Sequence, residues 1–141
     1  MIEMVKVKIP VRLRGISFEN VWAEQLTDGI ARIKNIPCYS SKYKYMDVVS
    51  FDPETLIIQY MVVEGGYTRP RYIQSTRDPQ LELEYWFDKG YLIEFYSRNM
   101  YGVCRKRNRE EWKRDKEINW RTDLPANCIN IYEEASNNGN P

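Results

Sequence analysis

The chain has 141 residues, 43% hydrophobic and 29% charged, with 21 Lys and Arg against 20 Asp and Glu. That is the make-up of an ordinary soluble globular protein, one domain or two small lobes able to bury a core without staples. The formal charge of +1 is spread evenly, 10 basic and 8 acidic residues in 1–74 and 11 and 12 in 75–141, which argues against a protein that grips phosphate backbones by bulk charge.

Residues 5–13 alternate Val5, Val7, Ile9, Val11 and Leu13 with Lys6, Lys8, Pro10 and Arg12, the period of two of a half-buried strand with a basic outer face. Pro10 lacks an amide hydrogen and puts this strand at an edge or a bend. Residues 1–13 show no continuous apolar run, so no signal peptide is expected. No window reaches the length of a membrane helix, and a cytoplasmic location is expected. A second strand covers residues 19–26, with Val21 and Ala23 on one face and Trp22, Glu24 and Leu26 on the other. Asp28-Gly29 signals a two-residue hairpin turn into a strand over 30–36. Short strands follow at 48–51 and 56–63, around a turn at Asp52-Pro53, and Gly65-Gly66 turns the chain into a strand over 67–73.

Beyond residue 75 the period changes. Asp78-Pro79 reads as a helix start, with the aspartate as N-cap, and Leu81, Leu83, Tyr85, Trp86 and Phe87 as a wide apolar stripe. Gly90 is the expected C-cap. A hairpin follows at 91–97 and 100–105. Asn108 with Glu111 three residues on reads as a capping box for a surface helix over 109–119, with Trp112 and Ile118 or Trp120 on its thin apolar face. A last strand covers 128–132. The predicted fold class is α+β. Residues 1–74 form a small β-barrel or bent antiparallel sheet. Residues 75–135 form an α+β half packed on it, the order strand, helix, hairpin, helix, strand over 67–133 resembles a ferredoxin-like or split βαβ unit, and 136–141 are a frayed tail.

Chemistry is sparse. The chain has no histidine, which removes the commonest general base, the commonest metal ligand and the usual partner of a catalytic serine or cysteine. Cys38, Cys104 and Cys128 form no CxxC pair and read as reduced, buried thiols. No metal-ligand set or cofactor motif is present, and neither is expected. Glu24 with Asp47, or Glu64 beside Gly65-Gly66, are the carboxylates that could run acid–base chemistry, but nothing in their spacing singles out a pair. Lys34 or Arg105 would be the only activators for Cys38 or Cys104. The basic run Arg105-Lys106-Arg107-Asn108-Arg109 is interleaved downstream with Glu110 and Glu111 and reads mainly as a salt-bridged solvent face.

Eleven tyrosines and four tryptophans, in contrast, are interface residues. Tyr39, Lys42, Tyr43, Lys44 and Tyr45 fall in a stretch with no aliphatic residue. Tyr67, Arg69, Arg71 and Tyr72 form a second aromatic–basic cluster, with Arg69 and Arg71 expected on one strand face. These nine are the candidate partner-binding residues.

The elements Val21-Trp22-Ala23-Glu24, Asp28-Gly29, Asn35-Ile36-Pro37 and Asp47-Val48-Val49 together resemble an uncharacterised bacterial family, a domain of unknown function, over residues 19–73. The pattern has glycine before Asp-Val-Val, where this chain has Met46. The resemblance implies a small cytosolic bacterial protein and carries no reaction, cofactor or catalytic residue. Its association with toxin–immunity gene clusters makes an inhibited toxin the expected partner. In structural terms the same motif reads as fold-specifying: Trp22 plugging the barrel, Asp28-Gly29 turning a hairpin, Asp47 accepting backbone hydrogen bonds before the 48–49 strand. The expected function is thus a non-catalytic protein-binding module, most concretely an immunity-type inhibitor. A single-stranded nucleic-acid-binding module is the alternative, and a carboxylate-based enzyme the second.

Overall fold

The computed structural model describes residues 2–13, 15–40, 42–75, 79–114 and 128–130. The chain divides into two compact units, Met1–Tyr67 and Thr68–Pro141. The boundary lies earlier than the 74/75 division read from the sequence. The segment around residue 72 belongs to the second unit, because it is hydrogen-bonded into that unit's sheet.

The first unit is one antiparallel sheet of β1 (Glu3–Leu13), β2 (Ile16–Thr27), β3 (Ile30–Ile33), β4 (Val48–Phe51) and β5 (Ile58–Val63), paired in chain order. Asp28-Gly29 makes the two-residue turn between β2 and β3, with Gly29 at φ 73°. Asp52 caps the β4–β5 turn, its Oδ1 accepting the amides of Glu54 and Thr55 at 2.8 and 3.3 Å. The sheet curls until its outer strands meet: Lys8 and Ile57 form a parallel bridge, and the Lys8 amide donates to the Leu56 carbonyl at 2.8 Å. Period-two alternation sends Val7, Ile9, Val21, Ala23, Ile33 and Val49 to the inner face, all essentially inaccessible to solvent. Burial of each larger side chain of this set is worth about 1.5–3 kcal/mol. Trp22 does not plug this barrel. It lies between Val21 and Ala23 and is therefore on the outer face, 45% exposed.

The second unit contains β6 (Arg71–Ser75), α1 (Gln80–Asp88), β7 (Leu92–Phe95), β8 (Met100–Cys104), α2 (Arg109–Arg114) and β9 (Cys128–Asn130). Its antiparallel sheet has the order β7-β8-β6-β9. Strand–helix–hairpin–helix–strand with the first strand beside the third and fourth is the split βαβ arrangement expected from the sequence. Gly90, at φ 79°, closes α1: its amide donates to the Phe87 carbonyl and that of Tyr91 to the Trp86 carbonyl, both at 3.0 Å. This is a Schellman cap. Pro79, not the first helical residue, occupies the N-cap position, and no side chain caps the helix there. Asp78 lies outside the described residues, as do the helix expected over 115–119, the strand expected over 131–132 and the tail expected over 136–141.

The face that α1 buries differs from the expected stripe. At 100° per residue Glu82 and Trp86 fall on one side, and these two are buried, while Leu81 and Phe87 are 84% and 65% exposed. Glu82 is drawn inward by hydroxyls: Ser75 Oγ donates to its Oε2 at 2.8 Å and Tyr101 Oη to its Oε1 at 2.5 Å. Trp86 Nε1 donates in turn to Tyr101 Oη at 3.0 Å, and its ring meets those of Tyr85 and Tyr91 edge-on at 5.1 and 4.9 Å. Satisfied at each of these contacts, this buried polar chain specifies how the helix sits on the sheet. The capping box of α2 is present, with Glu111 N–H donating to Asn108 Oδ1 at 2.8 Å and Asn108 N–H to Glu111 Oε1 at 2.9 Å.

Candidate functional site

Among the described residues, the first unit holds a long irregular stretch, 34–40 and 42–47 between β3 and β4, together with residues 64–67 after β5. Two carboxylates pin it. Asp47, fully buried, is used at both oxygens: the Lys44 amide donates to Oδ2 and the Gly65 amide to Oδ1, each at 2.8 Å. Burial pushes this carboxyl above its ordinary range, against the two amides that pull it down. The backbone-accepting role expected for Asp47 is thus its role, and it ties the 39–45 loop to the 64–66 segment. Gly65 is held so closely against the Met46 backbone that an added Cβ would overlap the Met46 carbonyl. Met46 itself takes φ 72°, a left-handed conformation ordinarily given to glycine.

The second pin is Glu19 on β2. The amides of Cys38, Tyr39 and Ser40 all donate to its carboxylate, the last two to Oε1 at 2.8 and 3.2 Å. Burial again outweighs these amides and raises the Glu19 carboxyl. Nothing local in the sequence marks this contact, because donors and acceptor lie about twenty positions apart on different elements. Ser40 then folds the loop, its Oγ accepting the amides of Lys42 and Tyr43 at 3.2 Å each.

On this frame the candidate residues separate. Tyr39 is 38% exposed, and neighbouring Cys38, then burial and Glu19, push its hydroxyl above the usual tyrosine value. Lys42 is exposed, its Nζ 5.5 Å from the Tyr43 ring centroid. Lys44 reaches Glu64 at 3.3 Å, and Tyr45 meets Tyr67 edge-on at 4.9 Å, joining the two sequence clusters. Tyr43 is corrected: at 3% exposure it packs in the barrel core. Arg71 and Tyr72 are corrected likewise, at 0% and 1% exposure; they lie on β6, a central strand of its sheet, and the Tyr96 ring stands 6.3 Å from that of Tyr72. Only Arg69 of the second unit's candidates is exposed. The surviving site in the first unit is Tyr39, Lys42, Lys44, Tyr45 and Tyr67 on a backbone clamped by Asp47 and Glu19.

The candidate catalytic groups are already engaged. Glu24 pairs with Arg32 at 3.3 Å, and Glu64 with Lys44. Arg105 donates from both terminal nitrogens to Glu111, at 2.8 Å each. Burial, with Glu94 adding, pushes the Cys104 thiol up to about 12. Among the described residues no group of His, Cys, Asp and Glu is arranged to hold a metal ion.

No family model and no curated protein matches the chain. Among solved structures it is similar to the crystal structure of a hypothetical protein from Neisseria gonorrhoeae, with 18% identity over 96% of this chain and 89% of that one and a TM-score of 0.64. At that identity the likeness is one of fold.

Proposed function

We propose that this chain is a non-catalytic protein-binding module, most concretely an immunity-type inhibitor of a bacterial toxin encoded beside it, acting in the cytoplasm. The observation that carries the reading is the pinned aromatic loop. Tyr39 and the Tyr45–Tyr67 pair stand on backbone fixed by two carboxylates, so a partner would meet rings whose ordering has already been done. Lys42 and Lys44 border them. Large, stiff rings rimmed by polar groups are what interface hot spots are made of. The engaged carboxylates and the protonated Cys104 thiol support a surface without chemistry of its own. Among the described residues no helix is long and apolar enough to cross a membrane.

Titration calorimetry against the product of the adjacent gene tests the proposal. A complex with about 800 Å² buried on each side is expected, with Tyr39→Ala or Tyr67→Ala weakening it about 30-fold or more. No binding by that product, or an affinity indifferent to both substitutions, overturns the reading.

A further inference from the structure

A second surface of the first unit, on the outer face of β2, has a different chemistry from the pinned loop that borders that strand. On the outer face of β2, Phe18 and Trp22 are 44% and 45% exposed, with the exposed Asn20 between them. Four residues of strand separate the two rings by about 13 Å along one line. In the register of the β1–β2 pair, Lys6 lies opposite Trp22, Lys8 opposite Asn20 and Pro10 opposite Phe18. Paired residues in such a ladder share a face, so two ammonium groups run beside the aromatic line. Lys6 Nζ stands 5.0 Å from the Trp22 ring centroid. No carboxylate interrupts this face between Met4 and Pro10 or between Phe18 and Trp22. The acid between the two rings in sequence, Glu19, points the other way, into the 38–40 amides. The next outward acid, Glu24, is neutralised by Arg32.

We infer that the outer face of the β1–β2 ladder, through Trp22, Phe18, Lys6 and Lys8, binds single-stranded nucleic acid. The rings accept unpaired bases by stacking, Asn20 offers an amide to a base edge, and the lysines take the adjoining phosphates. The chain's balanced total charge does not oppose this, since the local face carries two cations and no uncompensated acid. An acidic polypeptide would occupy the lysines and leave the two flat rings unused. A duplex hides the base faces that the rings would stack on.

The experiment is fluorescence anisotropy of labelled oligothymidylate and oligouridylate with the full chain. Binding is expected at low salt. With two phosphates neutralised it should weaken about sevenfold between about 50 mM and about 200 mM salt. Trp22→Ala should weaken it about tenfold or more and Trp22→Phe far less, because stacking needs only a ring. Lys6→Glu with Lys8→Glu should abolish it. Tyr67→Ala, in the Tyr45–Tyr67 pair of the protein-binding site, should leave it unchanged, which separates the two surfaces. Absence of binding at low salt, equal affinity of Trp22→Ala and the parent chain, or binding of polyglutamate or duplex DNA as tight as that of the single strand overturns the inference.

Discussion

Met46 is the most informative position to perturb. Its φ of 72° lies in the left-handed region, which costs a residue with a Cβ about 1–2 kcal/mol. Its amide donates to the Ile33 carbonyl at 2.8 Å, its backbone carries Gly65, and its sulfur receives Lys34 Nζ at 3.6 Å. Met46→Gly removes the strain and the side-chain contacts together, so by itself it mixes two effects of opposite sign. Met46→Ala removes the contacts and keeps the strain. The difference between the two variants isolates the backbone. At an ordinary position, replacing Ala by Gly destabilises by about 0.5–1 kcal/mol. Here relief of about 1–2 kcal/mol outweighs the added freedom of the unfolded chain, and Met46→Gly should be the more stable of the two by about 0.5–1 kcal/mol. With a urea slope of about 1–2 kcal/mol per molar, that is a midpoint higher by roughly 0.5 M. Urea unfolding followed by circular dichroism reads it directly. A Met46→Gly midpoint equal to or below that of Met46→Ala would show that the left-handed conformation stores no strain.

Gly65→Ala should destabilise the first unit by about 1–3 kcal/mol, because the methyl overlaps Met46 backbone that cannot rotate away; an unchanged urea midpoint refutes this. Asp47→Ala leaves the Lys44 and Gly65 amides without their buried acceptor, so their hydrogen exchange should accelerate together; protection retained at both would show that Asp47 is no clamp. The pH dependence carries two signs. Glu111 is held below its ordinary value by the Arg105 hydrogen bonds, so its contribution is present at pH 7 and is lost as pH falls below about 4.5. Glu19 and Asp47 are raised, so the stability each contributes is fully present below its unfolded value and is lost as pH rises through its folded value. Stability measured across that range for Glu111→Gln and Glu19→Gln should diverge from the parent chain with opposite slopes, and parallel slopes would contradict the assignment. Cys104, at about 12, should resist thiol reagents in the folded chain at pH 8, whereas partly exposed Cys38 reacts; fast labelling of both would place Cys104 outside the core.

Signals that live within a few residues were legible from the chain. The Asp28-Gly29 hairpin, the Asp52 turn, the Asn108–Glu111 capping box and the Gly90 helix end are local hydrogen-bonding and φ requirements, and each stands where the residues put it. The period of two in residues 5–11 and the change of period near residue 75 are enough for the α+β class and for the split βαβ order of the second unit. Asp47 as a backbone acceptor belongs here too, although its second donor, Gly65, does not.

What the alternation could not say is which side of a strand the rest of the chain covers. Trp22 reads equally well as a plug or as a surface ring until Val21 and Ala23 are seen facing the curled interior. Tyr43 is buried and Tyr39 exposed within one polar loop, because Glu19, about twenty positions earlier, seizes the 38–40 amides and turns the following residues inward. Arg71 and Tyr72 are buried in a strand paired with β8, about thirty positions further on, with the Tyr96 ring 6.3 Å from that of Tyr72. Glu82 replaces Leu81 and Phe87 on the buried side of α1 because the hydroxyls of Ser75 and Tyr101 wait there. The local rules of turns, caps and periodicity are short-range steric and hydrogen-bonding facts, and sequence carries them. Burial is decided by partners brought together across the chain, and only the folded sheet supplies those.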